Sequence, residues 1–204
     1  IENEANAGAN GEKKFGIGKN NNHIIYVSVG IGIGVGLILN GKLYRGNNGF
    51  SGEFGHMTIK ADGKKCSCGN EGCWELYASE KALLRESKYL ELEIPEMNLE
   101  NLIKLARNNN PSIIKLFEKI GEYLGIGINN IINIFNPEQI IIGNRMAIAE
   151  PWLKPQINNW IKNHSLWFSQ REVQIDFSRL PKHSTALGAA AFAVDEFLKR
   201  KILV

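Results

Sequence analysis

Apolar residues recur at intervals of three and four from Ile113 through Phe117, Ile120, Leu124, Ile128 and Ile131 to Phe135. That spacing predicts one buried stripe on a long helix, opening near Pro111 and ending at Asn136-Pro137. Gly121, Gly125 and Gly127 lie inside it and cost about 1 kcal/mol each in helix propensity, which predicts close approach of another backbone. Shorter runs read as strands. His23 to Val29 is apolar and β-branched; Gly30-Ile31-Gly32-Ile33-Gly34 is a glycine turn; Val35 to Leu39 is the next strand. Asn40-Gly41 is a type I′ hairpin signal, and Lys42 to Tyr44 returns. Met57 to Ile59, Gln139 to Ile142 and Val173 to Phe177 read as further strands. Helices are expected over Ala5 to Lys14, Glu75 to about Glu86 and Leu99 to Arg107, with another after Gly143-Asn144-Arg145 that contains Trp152 and Trp160. A last helix, Ala186 to Leu198, is rich in small residues and suits tight packing or a subunit contact. The order of elements is α/β, a hairpin-containing sheet backed by helices.

Composition narrows the function classes. The 204 residues suffice for a sizeable core, and 44% hydrophobic with 22% charged is the profile of a globular protein. A net charge of +3 without a Lys/Arg block is too mild for a nucleic-acid footprint. No apolar stretch reaches the roughly 18–20 residues of a membrane span. The chain opens on Ile1-Glu2-Asn3, which reads as the end of a strand running into a helix, so residues are expected upstream.

All three cysteines fall in Cys66-Ser-Cys68-Gly-Asn-Glu-Gly-Cys73-Trp-Glu75. Clustered thiols in odd number argue for a metal over disulfides, and for the reducing cytosol. The loop around them is polar, which speaks against three merely buried thiols. A fourth ligand is available in His56, within Gly52-Glu53-Phe54-Gly55-His56. Three thiolates and one imidazole close a tetrahedral Zn2+ with no open position, so the metal is structural and not catalytic. One ring nitrogen of His56 stays free to hydrogen-bond. Glu53 and Glu75 flank the cluster, and two carboxylates converging with an imidazole N–H can grip sugar hydroxyls. Trp74 is placed either to wall that site or to pack behind it.

These motifs resemble the signature of the ROK family (repressors, open reading frames and kinases). Asn3-Glu4-Ala5-Asn6-Ala7 is similar to its Asn-Asp-Ala-Asn element, and Asn136-Pro137 followed by Gln139 to Gly143 to its later strand. Within the family, Glu2 to Gly8 and Cys73 to Leu83 resemble the xylose repressors of Gram-positive bacteria. The resemblance implies an actin-like ATPase (ribonuclease H-like) fold of two lobes, of which residues 1–204 would be mostly the second, a C-terminal sugar-binding and dimerisation domain. A first lobe and a winged helix-turn-helix would lie upstream. It implies sugar contacts from Asn3, Glu4, Glu53, His56 and Glu75, zinc ligation by His56, Cys66, Cys68 and Cys73, and a cytoplasmic homodimer that binds a small sugar and operator DNA.

Three departures separate repressor from kinase. The family's kinases carry an Asp general base where this chain has Glu4, a side chain longer by about 1.5 Å, one C–C bond. They carry Gly-Thr-Gly-x-Gly at the phosphates, where Ile31 here offers no side-chain hydrogen bond. They carry consecutive glycines at the adenosine site, where Asn144 and Arg145 would fill the room. All three fall on the ATP side, which predicts a sugar sensor without enzyme activity, the alternative being an ATP-dependent sugar kinase.

Overall fold

Strand β1 (Ile24–Val29) runs through the middle of a five-stranded sheet in the computed structural model, which describes residues 2–91, 96–167, 173–180 and 183–202. All six β1 positions are buried, as in a strand covered on both faces. β2 (Ile33–Leu39) lies antiparallel to β1, and β3 (Lys42–Tyr44) antiparallel to β2. On the other side β4 (Gln139–Gly143) runs parallel to β1 and β5 (Gln174–Phe177) parallel to β4, giving the order β3-β2-β1-β4-β5. The expected hairpin turns on Asn40 and Gly41, whose φ values of 52° and 74° are both left-handed, as a type I′ turn requires.

Alternation divides the sheet between two layers. Ile25, Val27, Val29, Val35, Leu37, Ile140 and Ile142 belong to the main core, with α5 (Pro111–Phe135) and α6 (Glu150–His164). Ile24, Tyr26, Ile38 and Ile141 form a second cluster with Ala9 of α1 (Glu4–Lys14). α1 in turn packs against α7 (Ser184–Ile202), where a Cβ on Gly11 or Gly188 would strike the backbone of Ser184 or Ala7. Among the small residues of the last helix, Gly188 serves this tight packing, whereas Ala186, Ala189 and Ala190 are exposed.

Gly34 and Gly36 stand under α1, and a Cβ on Gly36 would come within 3 Å of Ala5 and Ala9. The helix thus rides directly on β2, and its first turn reaches the turn at residues 30–34. β2 begins at Ile33, two residues before the expected Val35, because Gly34 stays in register opposite Ser28.

The long helix follows its apolar stripe. Asn110 caps it by accepting from the Ile113 N–H at 3.2 Å, Pro111 opens it, and Asn136 ends it in the left-handed conformation. Of its three glycines, Gly121 meets the Leu153 backbone, whereas Gly125 and Gly127 make room for the rings of Trp160 and Trp74. Asn110→Ala removes the cap and is expected to cost about 1 kcal/mol, lowering Tm by about 2–4 °C in calorimetry.

Two expectations need correction. The helix from Glu75 to Glu86 is two helices, α2 (Glu75–Ala78) and α3 (Glu80–Ser87). Ser79 breaks it in extended conformation because its hydroxyl accepts from the Ala82 N–H at 3.1 Å and caps α3. Met57 to Ile59 is not a strand: a 3-10 turn over Phe54–His56 precedes a single bridge between Thr58 and Cys73. α4 (Leu99–Arg107) is where the pattern puts it. The helix after Arg145 starts as a 3-10 turn, Arg145–Ala149, before α6. Among the described residues, no helix is long and apolar enough to cross a membrane.

Candidate functional site

The 52–56 loop is pressed onto β2. Gly52, at φ 92°, and Gly55 both abut β2 carbonyls that a Cβ would strike, and the Val35 N–H donates to the Gly52 carbonyl at 3.2 Å. This fixes Glu53 and His56 on the chain that follows. Glu53 is exposed, and His56 is half-buried. The cysteine loop folds on its own backbone. Cys66 N–H donates to Asn70 at 2.8 Å, Gly69 N–H to Cys66 at 3.1 Å, and Gly69 and Gly72 supply the left-handed turns. The Asn70 amide reaches the His56 carbonyl at 3.2 Å, tying the two loops together.

One ligand atom from each of His56, Cys66, Cys68 and Cys73 lies within 4.8 Å of all the others. A tetrahedral zinc with bonds of about 2.3 Å to sulfur and 2.0–2.1 Å to nitrogen puts its ligands about 3.8 Å (S···S) and 3.5–3.6 Å (N···S) apart. Cys68 and Cys73 Sγ are 3.7 Å apart, and Cys66 Sγ is 3.6 Å from His56 Nδ1. The donor set is compatible with such an ion. Burial, reinforced by the neighbouring thiols of Cys66 and Cys68, pushes the Cys73 thiol up to about 12, so a bound cation would be needed to hold it as thiolate. The backbone N–H of Asn70 holds the exposed Cys68 below the usual thiol range. Since Nδ1 faces the cluster, Nε2 is the His56 nitrogen left for a ligand.

Glu75 opens α2 directly after this loop. One carboxylate oxygen lies 3.6 Å from Cys66 Sγ and 3.8 Å from His56 Nδ1. The other would be 2.7 Å from a Cβ on Gly32. Glu75 therefore bridges the cysteine loop and the glycine turn. Trp74 between Cys73 and Glu75 is fully buried, and its indole N–H donates to the Tyr123 carbonyl at 2.8 Å. The full burial and this tether make Trp74 a packing residue of the core.

On the other side of the turn, a cleft of about 350 Å³ is lined by Glu4, Ser28, the turn 30–34, Asn144 and Arg145. Asn3 caps α1, its side-chain oxygen accepting from the Asn6 N–H at 2.7 Å. Glu4 in the first turn accepts from the Asn144 amide at 2.6 Å. Among the described residues no hydrogen bond joins Asn3 or Glu4 to Glu53 or His56. Glu4 sits on the cleft side of the glycine turn and Glu75 reaches it at Gly32.

Asn144 and Arg145 behave differently from each other. Arg145 turns onto Glu80, at 2.8 and 3.0 Å, and Glu100, at 3.3 Å. Hydrogen bonding to Glu80 raises its pKa further, keeping it a fully paired cation. Asn144 points into the cleft and also donates to Ser28 Oγ at 3.0 Å. Ser28 and the Asn144–Glu4 contact are site features that sequence reading missed. The one signal for Ser28 is a hydroxyl in an otherwise apolar run, Ile-Ile-Tyr-Val-Ser-Val.

Comparison with known proteins adds to this geometry. The sequence profile of the ROK family matches residues 1–196. The xylose repressor of Bacillus subtilis is 46% identical over 198 residues, which cover 97% of this chain and 51% of that protein. The chain thus spans about half the length of the curated relatives it matches. A ROK family transcriptional regulator, a homologue of the Escherichia coli Mlc protein, superposes with a TM-score of 0.85 at 33% identity, covering 93% of this chain and 50% of that one. A ROK family glucokinase from Streptomyces griseus, solved with glucose and AMPPNP, gives 0.85 at 29% identity, covering 94% and 67%. In sequence, and in an actin-like (ribonuclease H-like) α/β fold shared with repressors and kinases alike, the chain belongs to the ROK family.

Proposed function

We propose that residues 1–204 form the sugar-binding and dimerisation part of a ROK-type transcriptional repressor, with xylose as the leading effector. Asn3, Glu4, Glu53, His56 and Glu75 contact the sugar. His56, Cys66, Cys68 and Cys73 hold one zinc ion, whose role is to fix His56 and Glu75 in place. A first lobe and a winged helix-turn-helix upstream complete a cytoplasmic homodimer. The sugar binds one arrangement of the dimer better than the other and so weakens operator binding, a coupling of two sites through a shared equilibrium.

The observation that carries this reading over a kinase is the wall of the cleft. Phosphoryl transfer needs free cationic or N–H donors where charge develops on the phosphate. Ile31 instead presents an apolar side chain, 74% exposed, and Arg145, the one cation among the lining residues, is spent on Glu80 and Glu100. The similarity to a protein named as xylose repressor supports the choice of sugar. The kinase reading keeps one point in its favour, a carboxylate, Glu4, beside the cleft in a fold shared with a nucleotide-bound glucokinase.

Calorimetric titration of the full-length protein with xylose and other common sugars tests the proposal, together with operator affinity in the presence of each. Glu53→Gln and Glu75→Gln each remove a charged acceptor and are expected to weaken sugar binding about 10–100-fold. Affinity unchanged in both variants, or operator binding indifferent to every sugar, overturns it. A coupled ATP assay is expected to show no turnover; turnover with glucose, fructose or N-acetylmannosamine establishes the kinase.

A further inference from the structure

We infer that Asn144 is a positioning residue of the effector site: its carboxamide holds the Glu4 carboxylate in the cleft as an acceptor for the hydroxyls of a neutral polyol. The inference rests on the sugar-sensing reading and deepens it.

The backbone is the first observation. Asn144 has φ 67° and ψ −164°, a region that is essentially glycine's alone. A glycine would meet this bend without strain, yet the chain carries a side chain there. Strain of this kind persists only where the surroundings hold it.

The side chain supplies the reason. The Arg145 backbone N–H lies 2.7 Å from one end of the amide, and since an N–H only donates, that end is the carbonyl oxygen. The other end is therefore the NH2, and both of its hydrogens are used: Glu4 Oε1 accepts at 2.6 Å and Ser28 Oγ at 3.0 Å. The amide also lies close over Gly30, where a Cβ would come 2.8 Å from Nδ2. Four residues on three chain segments thus surround one amide, and the amide holds one carboxylate on the first turn of α1. With Oε1 taken, Oε2 is left as an acceptor on a residue that lines the cleft. The only cation among the lining residues is already paired. Such a site accepts hydrogen bonds from an uncharged hydroxyl compound and has no counter-charge for an anion.

The test compares stability with affinity in the zinc-loaded full-length protein, using D-xylose and a panel of aldoses. Asn144→Gly relieves the backbone and releases Glu4, so it is expected to melt no lower than the parent while sugar affinity falls at least about tenfold. Unchanged affinity overturns the inference, and so does a joint fall of affinity and melting temperature, the mark of a merely structural residue. If the parent binds none of the sugars, the sensing reading fails by itself. A ligand-free measurement then decides the positioning claim: Glu4→Ala and Asn144→Ala combined should shift Tm by about 2 °C less than the sum of the two singly. Strict additivity overturns it.

Discussion

Cys73→Ser is expected to abolish metal retention and sugar response together, and to lower the melting temperature by about 8–16 °C. Loss of a structural metal belongs to the small class of changes that cost more than about 4 kcal/mol, and in a chain of this size each kcal/mol is worth about 2–4 °C. Cys73 is the fully buried member of the cluster, and its backbone sits in the one bridge that joins the cysteine loop to Thr58. A hydroxyl there is a poor ligand for a soft cation and leaves a polar group buried among thiols. Elemental analysis for zinc, calorimetry and sugar titration on the same preparation check the three effects. Zinc retained at full stoichiometry with unchanged melting would remove Cys73 from the ligand set. Metal lost while sugar affinity stays intact would break the proposed link between the ion and the His56–Glu75 pair.

Gly127→Val is the second large effect expected, and it acts through Trp74, the residue next to Cys73. A Cβ at this position would lie closer than 3 Å to three atoms of the Trp74 ring. That ring is fully buried and tethered to Tyr123, so it has nowhere to retreat. Overpacking of this sort costs about 1–3 kcal/mol, and valine adds two further methyl groups, so the upper end of that range applies, with a fall in Tm of about 6–12 °C. Trp74 sits between Cys73 and Glu75, so displacement of the ring is expected to weaken both metal retention and sugar binding. A second substitution, Trp74→Phe, opens space and should recover part of the loss. If the double variant is only as stable as the sum of the two singles predicts, the clash is not the cause.

What could be read from the chain alone divides by the range of the interactions. The cysteine loop, the hairpin at Asn40-Gly41 and the stripe on α5 rest on neighbours within a few residues or on one helical period, so their signals lie in the sequence. The break at Ser79 was not legible, because a serine inside an apolar-periodic run reads as tolerated until its hydroxyl is seen capping α3. Gly125 and Gly127 predict the close approach of another backbone, but what approaches them is an aromatic ring from a distant segment in each case. The Asn144–Glu4 contact joins residues 140 apart, and no local pattern reports such a pair. Asn144 and Arg145 were expected to act alike by filling space. Their roles separate only because Glu80 and Glu100 stand within reach of the guanidinium.

The unequal reach of these contacts also bears on how the site comes into being. The close cluster contacts join residues only 10 apart, for His56 with Cys66, and 5 apart, for Cys68 with Cys73, whereas the Glu4–Asn144 contact spans 140. Loop-closure entropy rises with the length of chain enclosed, and distant pairings come late in folding. On the proposed function, ion capture and ligand competence would then be separate events in the life of a newly made chain. The His56–Cys73 cluster can assemble on a segment of about 20 residues, while the cleft waits for α1 to meet the turn after β4. A protein refolding with its ion already bound, yet still blind to its effector, is the intermediate this architecture leads one to seek.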